Sequence, residues 1–232
     1  MKKLLLPILL LFISTLTIQA QETGEDDLGA WYMLFTNHRV SEKLSIHAEV
    51  QYRNYEFADN FNQLLLRSAL NYHISDKAMA SFGYGFISTD PTFEEPDGEK
   101  NTTEHRIYQQ FVLRNSVGKF KFSHRYRLEQ RFIDSPLSGN DTQHRARYFL
   151  RITYPFNDKW FLTAYDEVFI NLQNDFFGQN RLYGAVGYNF SKNLSTQVGY
   201  LKNDFRVDTF DRFQVAVFIK TDFRKKKEEV KG

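Results

Sequence analysis

The chain has 232 residues, no cysteine and a formal charge of +2; 42% of it is hydrophobic and 16% aromatic, yet its mean hydropathy is −0.50. Beyond the signal-like start no apolar run approaches the roughly 18 residues that a membrane helix needs, and so high an aromatic content is foreign to disordered chains. The lack of cysteine excludes a disulfide framework, thiolate metal sites and a lipidated N-terminal cysteine, and the near-neutral body, without a basic patch that could track phosphates, argues against nucleic acid as a partner.

Residues 1–20 read as a cleaved secretory signal, with Lys2 and Lys3 ahead of an apolar stretch from Leu4 to Ile18 and a small residue, Ala20, at the end. Residues 21–28 form an acidic N-terminal segment carrying Glu22, Glu25, Asp26 and Asp27. From 29 to 223 the chain breaks into segments with period-two alternation, expected as strands near 29–40, 43–56, 62–75, 78–90, 104–117, 119–133, 142–155, 159–171, 179–190, 193–203 and 211–223. Globular strands average about 5 to 6 residues, whereas a tilted strand that crosses a bilayer takes about 9 to 11. Residues 224–232 make a charged tail, expected in the periplasm with weak attraction to anionic surfaces.

The segment 119–133 shows the pattern most clearly. Phe120, Phe122, His124, Tyr126, Leu128 and Phe132 alternate with Lys119, Lys121, Arg125, Arg127, Glu129 and Arg131. A one-faced sheet in water would show the same alternation with its apolar face inside. The polar face separates the two cases, because its charges are mainly arginines in mid-strand, and arginine suits planar multidentate pairing in a confined polar space. That face is therefore expected to be a lumen. Its candidate lining is Glu49, Arg53, Arg67, Arg106, Arg114, Arg125, Arg127, Glu129, Arg131, Arg145, Arg147, Arg151, Glu167 and Arg181.

The connections alternate in length. Those near 40–43, 75–77, 117–119, 155–158 and 191–193 are short, and those near 57–61, 90–103, 134–141, 172–178 and 204–211 are longer. Transmembrane barrels have short periplasmic turns and longer outer loops. The fold expected is an all-β, antiparallel, up-and-down transmembrane barrel of 10 to 12 strands with an Arg-rich polar lumen. Eleven visible segments conflict with the usual even count. Twelve is favoured, with 21–29 supplying a short first strand; a ten-stranded barrel beginning at 43, or an acidic N-terminus threading the lumen, are the alternatives.

Several runs carry a resemblance: Asn62-Gln-Leu-Leu-Leu-Arg67, Glu104-His-Arg-Ile-Tyr-Gln-Gln110, His124-Arg-Tyr-Arg-Leu-Glu-Gln-Arg-Phe132, His144-Arg-Ala-Arg147, Asp166-Glu-Val-Phe-Ile-Asn171 and Asn180-Arg-Leu-Tyr183. They resemble a family of bacterial outer-membrane proteins common in Bacteroidetes-type bacteria, domain of unknown function 2490. The resemblance implies an outer-membrane barrel and implies no activity. The chain departs from barrel habit in one respect, since the terminal aromatic Phe223 is followed by a charged tail.

The Arg/Glu face is the one dense constellation. Either it packs the lumen as a plug, or its excess of arginine leaves a narrow anion-favouring path or ligand site. The expected function is a structural, binding or transport component of the outer membrane, in contact with lipid and lipopolysaccharide and with a small anionic solute as candidate ligand. A lipid-modifying enzyme would need a serine and a histidine on one face with a third group orienting the histidine. The pair that meets the spacing is His73 and Ser75, with His47 on a neighbouring strand. It sits at a short turn on the lumenal face, so no enzyme is expected. Ser123 and His124, and Asp166 and Glu167, split across their strands. Neither cofactor nor metal is expected: the histidines are scattered, and the acidic loop with Asp90, Glu94, Glu95, Asp97 and Glu99 lacks a regular ligand pattern.

Overall fold

A computed structural model describes residue 24 and residues 27–93, 101–173 and 175–224. The signal segment, Glu94 to Glu99 of the acidic loop and the tail beyond Arg224 lie outside these residues. Eleven strands form: β1 (Gly29–Arg39), β2 (Leu44–Asn54), β3 (Phe61–His73), β4 (Ala78–Thr89), β5 (Thr102–Val117), β6 (Phe120–Ser135), β7 (Gly139–Pro155), β8 (Trp160–Asn171), β9 (Phe177–Asn189), β10 (Leu194–Phe205) and β11 (Thr209–Asp222). Each pairs antiparallel with its sequence neighbour, and β1 pairs with β11 to close the barrel.

That closure corrects the favoured strand number. Among the described residues no twelfth strand precedes β1, and the ten-stranded alternative also fails, because β1 is part of the wall. An up-and-down meander with an odd count has its first and last strands running the same way, so its seam must be parallel. β1 and β11 are paired in that sense, from Gly29 opposite Arg212 to Arg39 opposite Asp222. The described part of the acidic segment stays at the rim: Gly24 is buried beside Tyr55 and Phe93, and the Asp27 carbonyl accepts from Gly29 N at 3.1 Å and from Arg212 Nη1 at 3.2 Å.

One end of the barrel is closed by tight turns at 40–43, 74–77, 118–119, 156–159 and 190–193. Four of them share a device. Ser41, Ser75, Asn157 and Ser191 turn their side-chain oxygens back to accept the amide of the residue three positions on, at 3.0, 3.1, 2.8 and 3.1 Å, which fixes the reversal locally. At the other end the connections are 55–60, 90–101, 136–138, 172–176 and 206–208. Two of the expected long loops, 134–141 and 204–211, contract because β6, β7, β10 and β11 continue their ladders past the expected ends.

The alternation sorts the side chains by face. Outward residues such as Leu34, Val50, Leu70, Phe82, Leu128, Leu182 and Val198 are large, apolar and exposed. A water-soluble sheet would bury this face; an apolar exterior on a closed barrel, which leaves no unpaired backbone edge, is the arrangement of barrels that cross a bilayer. Near the short turns, outward aromatics run in sequence around the wall: Phe120 against Tyr154, Tyr154 against Phe156, Trp160 against Tyr188 and Tyr188 against Phe190, with ring centroids 4.7–5.5 Å apart. Their position matches that of an interfacial girdle. Polar groups on the outer face satisfy each other, as Gln109 and Gln130 do at 3.1 Å and His124 and Tyr148 do at 2.9 Å.

Inside, bulky residues are accommodated by glycines directly opposite. A Cβ at Gly83 would lie 2.3 Å from Tyr108 Cζ, and one at Gly187 would lie 2.0 Å from Phe161 Cζ. These close approaches let a barrel of modest girth hold full-sized side chains.

Candidate functional site

The inward face carries charge at mid-height. Fully buried Glu129 on β6 is met by Arg145 and Arg147 of β7 at 2.6 Å each, by Arg127 at 3.5 Å and by Arg106 of β5 at 3.7 Å. Arg147 bridges from Glu129 to Glu167 of β8, donating to the latter at 2.7 Å. Glu167 also receives Arg125 at 2.6 Å and faces Arg181 at 3.9 Å. On the other side, Glu49 of β2 pairs with Arg67 of β3 at 3.2 Å and accepts from Gln51. The strand register builds this network: Glu129 lies opposite Arg145, Glu167 opposite Arg181 and Glu49 opposite Arg67.

Arginine still outnumbers carboxylate, and aromatic faces take part of the excess. Arg53 lies over Trp31 at 3.7 Å, Arg127 over Tyr108 at 4.4 Å, Arg147 over Phe169 at 4.2 Å and Arg125 over Phe149 at 4.4 Å; Arg181 lies between Trp31 and Phe169 at 4.8 and 4.7 Å. Guanidinium is weakly hydrated and planar, so it tolerates this confinement better than ammonium would, and desolvated cation–π contacts are worth about 2 kcal/mol.

Two cavities flank the network. One of about 320 Å³ lies toward the short turns and is lined by residues that include Phe35, Asn37, Arg114, Ser123, Arg151 and Phe218. The other, about 470 Å³, lies toward the long loops, among Tyr55, Gln63, Thr89, Ser135, Gln143 and Arg212. Trp31, Arg53, Arg67, Arg147 and Arg181 line both, and each that contributes to the waist from β1, β2, β3 or β7 is buried.

Each candidate from the sequence falls on the inward face. Arg106, Arg131 and Arg145 reach the long-loop cavity, and Glu49, Arg114, Arg125, Arg127, Arg151 and Glu167 the short-turn cavity, while Glu129 is enclosed between its arginines. The network unites all but two. Arg114 and Arg151 make no side-chain hydrogen bond or ion pair to the described residues. Arg53 joins through Gln51, Gln63 and Trp31 rather than through a carboxylate.

The sequence reading missed Glu104, which holds Arg106 at 2.5 Å and Arg131 at 2.8 Å, and the plates Trp31, Tyr108 and Phe169. Alternation could have found them, since Glu104 and Tyr108 share parity with Arg106, and Phe169 shares it with Glu167.

The spacing-based hydrolase pair is not assembled. Ser75 Oγ accepts turn amides, and His73 Nε2 instead meets Ser45 Oγ at 2.8 Å, which also accepts from Asn71 at 3.1 Å. Ser45 and Asn71 are fully buried, and His47 belongs to Glu49. His124 and Asp166 point outward, the latter accepting from Asn180 at 3.1 Å, away from Ser123 and Glu167. Among the described residues no three His, Asp or Glu side chains gather as a metal site.

No curated protein matches the chain. Among solved structures, an anion-selective porin from Comamonas acidovorans matches at 15% sequence identity and a TM-score of 0.34, over 74% of this chain and 51% of that one. The chain thus spans about half the length of that porin. The family model described as Protein of unknown function (DUF2490) matches residues 28–214, from the lead into β1 through the first half of β11, and the chain belongs to this family.

Proposed function

We propose that the chain is an outer-membrane barrel whose lumen is closed at mid-height, so that it serves as a binding or structural component rather than an open pore. The observation that carries this reading is the shared lining. The same buried side chains, Trp31, Arg53, Arg67 and Arg147 with Arg181 beside them, bound the cavity on either side, and ion pairs and ring contacts tie them together. The outer-membrane location is supported by the signal-like N-terminus, the closed barrel and the apolar outward face, and the partners that follow are outer-membrane lipid and lipopolysaccharide. In this reading the chain performs no catalytic step.

A second reading, a narrow anion-favouring path, draws on the surplus of arginine at the waist, because basic constrictions select anions. Planar-bilayer recordings of the purified barrel divide the two. Closed-lumen protein gives no discrete unitary currents at moderate voltage. Reproducible anion-selective steps, abolished by Arg147→Glu, would establish the channel instead.

A further inference from the structure

The cavity on the short-turn side joins two walls of opposite character. On one wall Ser123 of β6 lies directly opposite Arg114 of β5 and Arg151 of β7, with Arg125 two positions along on the same face. Arg114 and Arg151 make no ion pair and no side-chain hydrogen bond among the described residues; Tyr165 of β8 lies directly opposite Arg151. Arg125 donates to Glu167 through Nη2, yet its Nε is buried without an acceptor. The register thus places three arginines around one serine on the inward face. On the facing wall, β1 and β11 present Met33, Phe35 and Phe218, the two phenylalanines stacked at 4.8 Å.

Arg151 is half-buried and Arg114 exposed at the short-turn end of the cavity, so a ligand can reach both, and a carboxylate or phosphate supplies through charge-assisted, bidentate hydrogen bonds the counter-charge that the protein does not. A bare inorganic anion would use the first wall and leave the second wet. We propose that this cavity binds a single-chain amphiphilic anion, its head held by Arg114 and Arg151 beside Ser123 and its apolar body against Phe35 and Phe218. The cavity volume of about 320 Å³ falls at the lower end of ordinary ligand sites, about 300–1,000 Å³, which suits one short chain. The inference rests on the closed lumen, which gives the cavity its floor.

The test is isothermal titration calorimetry of the full mature chain in zwitterionic-lipid nanodiscs, with empty discs subtracted. The probes are hexanoate, octanoate, decanoate, decyl phosphate, decanol and inorganic phosphate. Saturable one-to-one binding of decanoate or decyl phosphate is expected, with affinity rising along the carboxylate series and absent for decanol; the tighter of the two ten-carbon probes identifies the head group. Arg114→Gln/Arg151→Gln weakens decanoate by at least about tenfold while keeping heat-modifiable gel mobility, as expected for the loss of charged hydrogen bonds. The length series needs no variant. A flat series, inorganic phosphate binding as tightly as decanoate, or the absence of saturable heat each overturns the proposal. Discrete currents from the same preparation would remove the closed-lumen reading while leaving any saturable heat in place.

Discussion

Glu129 shows how a single side chain can hold a barrel waist together. It is fully buried and meets four guanidinium groups, so Glu129→Gln leaves arginines confined without their shared counter-charge. Breaking a buried pair in this way costs about 3–5 kcal/mol, whereas Glu42→Gln, which loses an exposed, solvent-screened contact to Arg224, leaves the midpoint essentially unchanged. Urea unfolding of vesicle-inserted protein measures both. A Glu129→Gln midpoint equal to that of the wild type would mean that packing, not charge, maintains the waist. Gly187 provides a steric counterpart. The three atoms nearest to a Cβ there all belong to the Phe161 ring, so Gly187→Ala destabilises the wild type but much less in a Phe161→Ala background, a coupling that a double-mutant cycle reads directly. At this scale the sequence showed which way a charged residue points, because parity along a strand decides it. It did not show which arginine meets which glutamate, since that depends on the register between strands. Tyr108 and Phe169 were passed over for a related reason: an aromatic among arginines looks like an exception until the guanidinium groups are seen lying on it.

Strands were the most legible elements. Each of the eleven segments read from alternation became a strand, with ends displaced by a few residues where the ladders ran on into the expected loops. The repeated turn sequences Ser41-Glu-Lys-Leu44, Ser75-Asp-Lys-Ala78, Asn157-Asp-Lys-Trp160 and Ser191-Lys-Asn-Leu194 were present to be read as side-chain-capped reversals. Strand number was not legible in the same way, because pairing between the first and last strands leaves no local signal. The seam can be tested chemically in this cysteine-free chain. Leu34 and Val217 are direct partners across β1 and β11, so Leu34→Cys/Val217→Cys joins with a short thiol-to-thiol reagent. Leu34→Cys/Val198→Cys, with β11 lying between the two strands, does not. A twelfth strand inserted at the seam would abolish the first cross-link.

For the whole molecule, the odd strand count has a topological consequence. β1 starts at the long-loop end and β11 finishes at the short-turn end, so the two ends of the barrel segment lie on opposite sides of the membrane, whereas an even-stranded meander brings both to one side. Short turns mark the periplasmic end in barrels of this architecture, and each of the five here carries an exposed lysine: Lys43, Lys77, Lys119, Lys159 and Lys192. The long-loop rim is instead rich in aspartate, including Asp59, Asp134, Asp141, Asp175 and Asp208, a charge that repels small anionic reagents but not neutral ones. Leu28, just before β1, is 47% exposed, and Phe223, just after β11, is 65% exposed, so both positions accept a probe without disturbing the wall. In intact cells an uncharged, membrane-impermeant maleimide should label Leu28→Cys, while Phe223→Cys should label only after the outer membrane is permeabilised. Phe223 N donates to the Arg39 carbonyl at 2.8 Å, and this contact anchors the end of β11 beside the last residue of β1 at the short-turn end. Equal labelling of both positions in intact cells would be incompatible with eleven strands and a parallel seam, and labelling of Phe223→Cys alone would reverse the orientation.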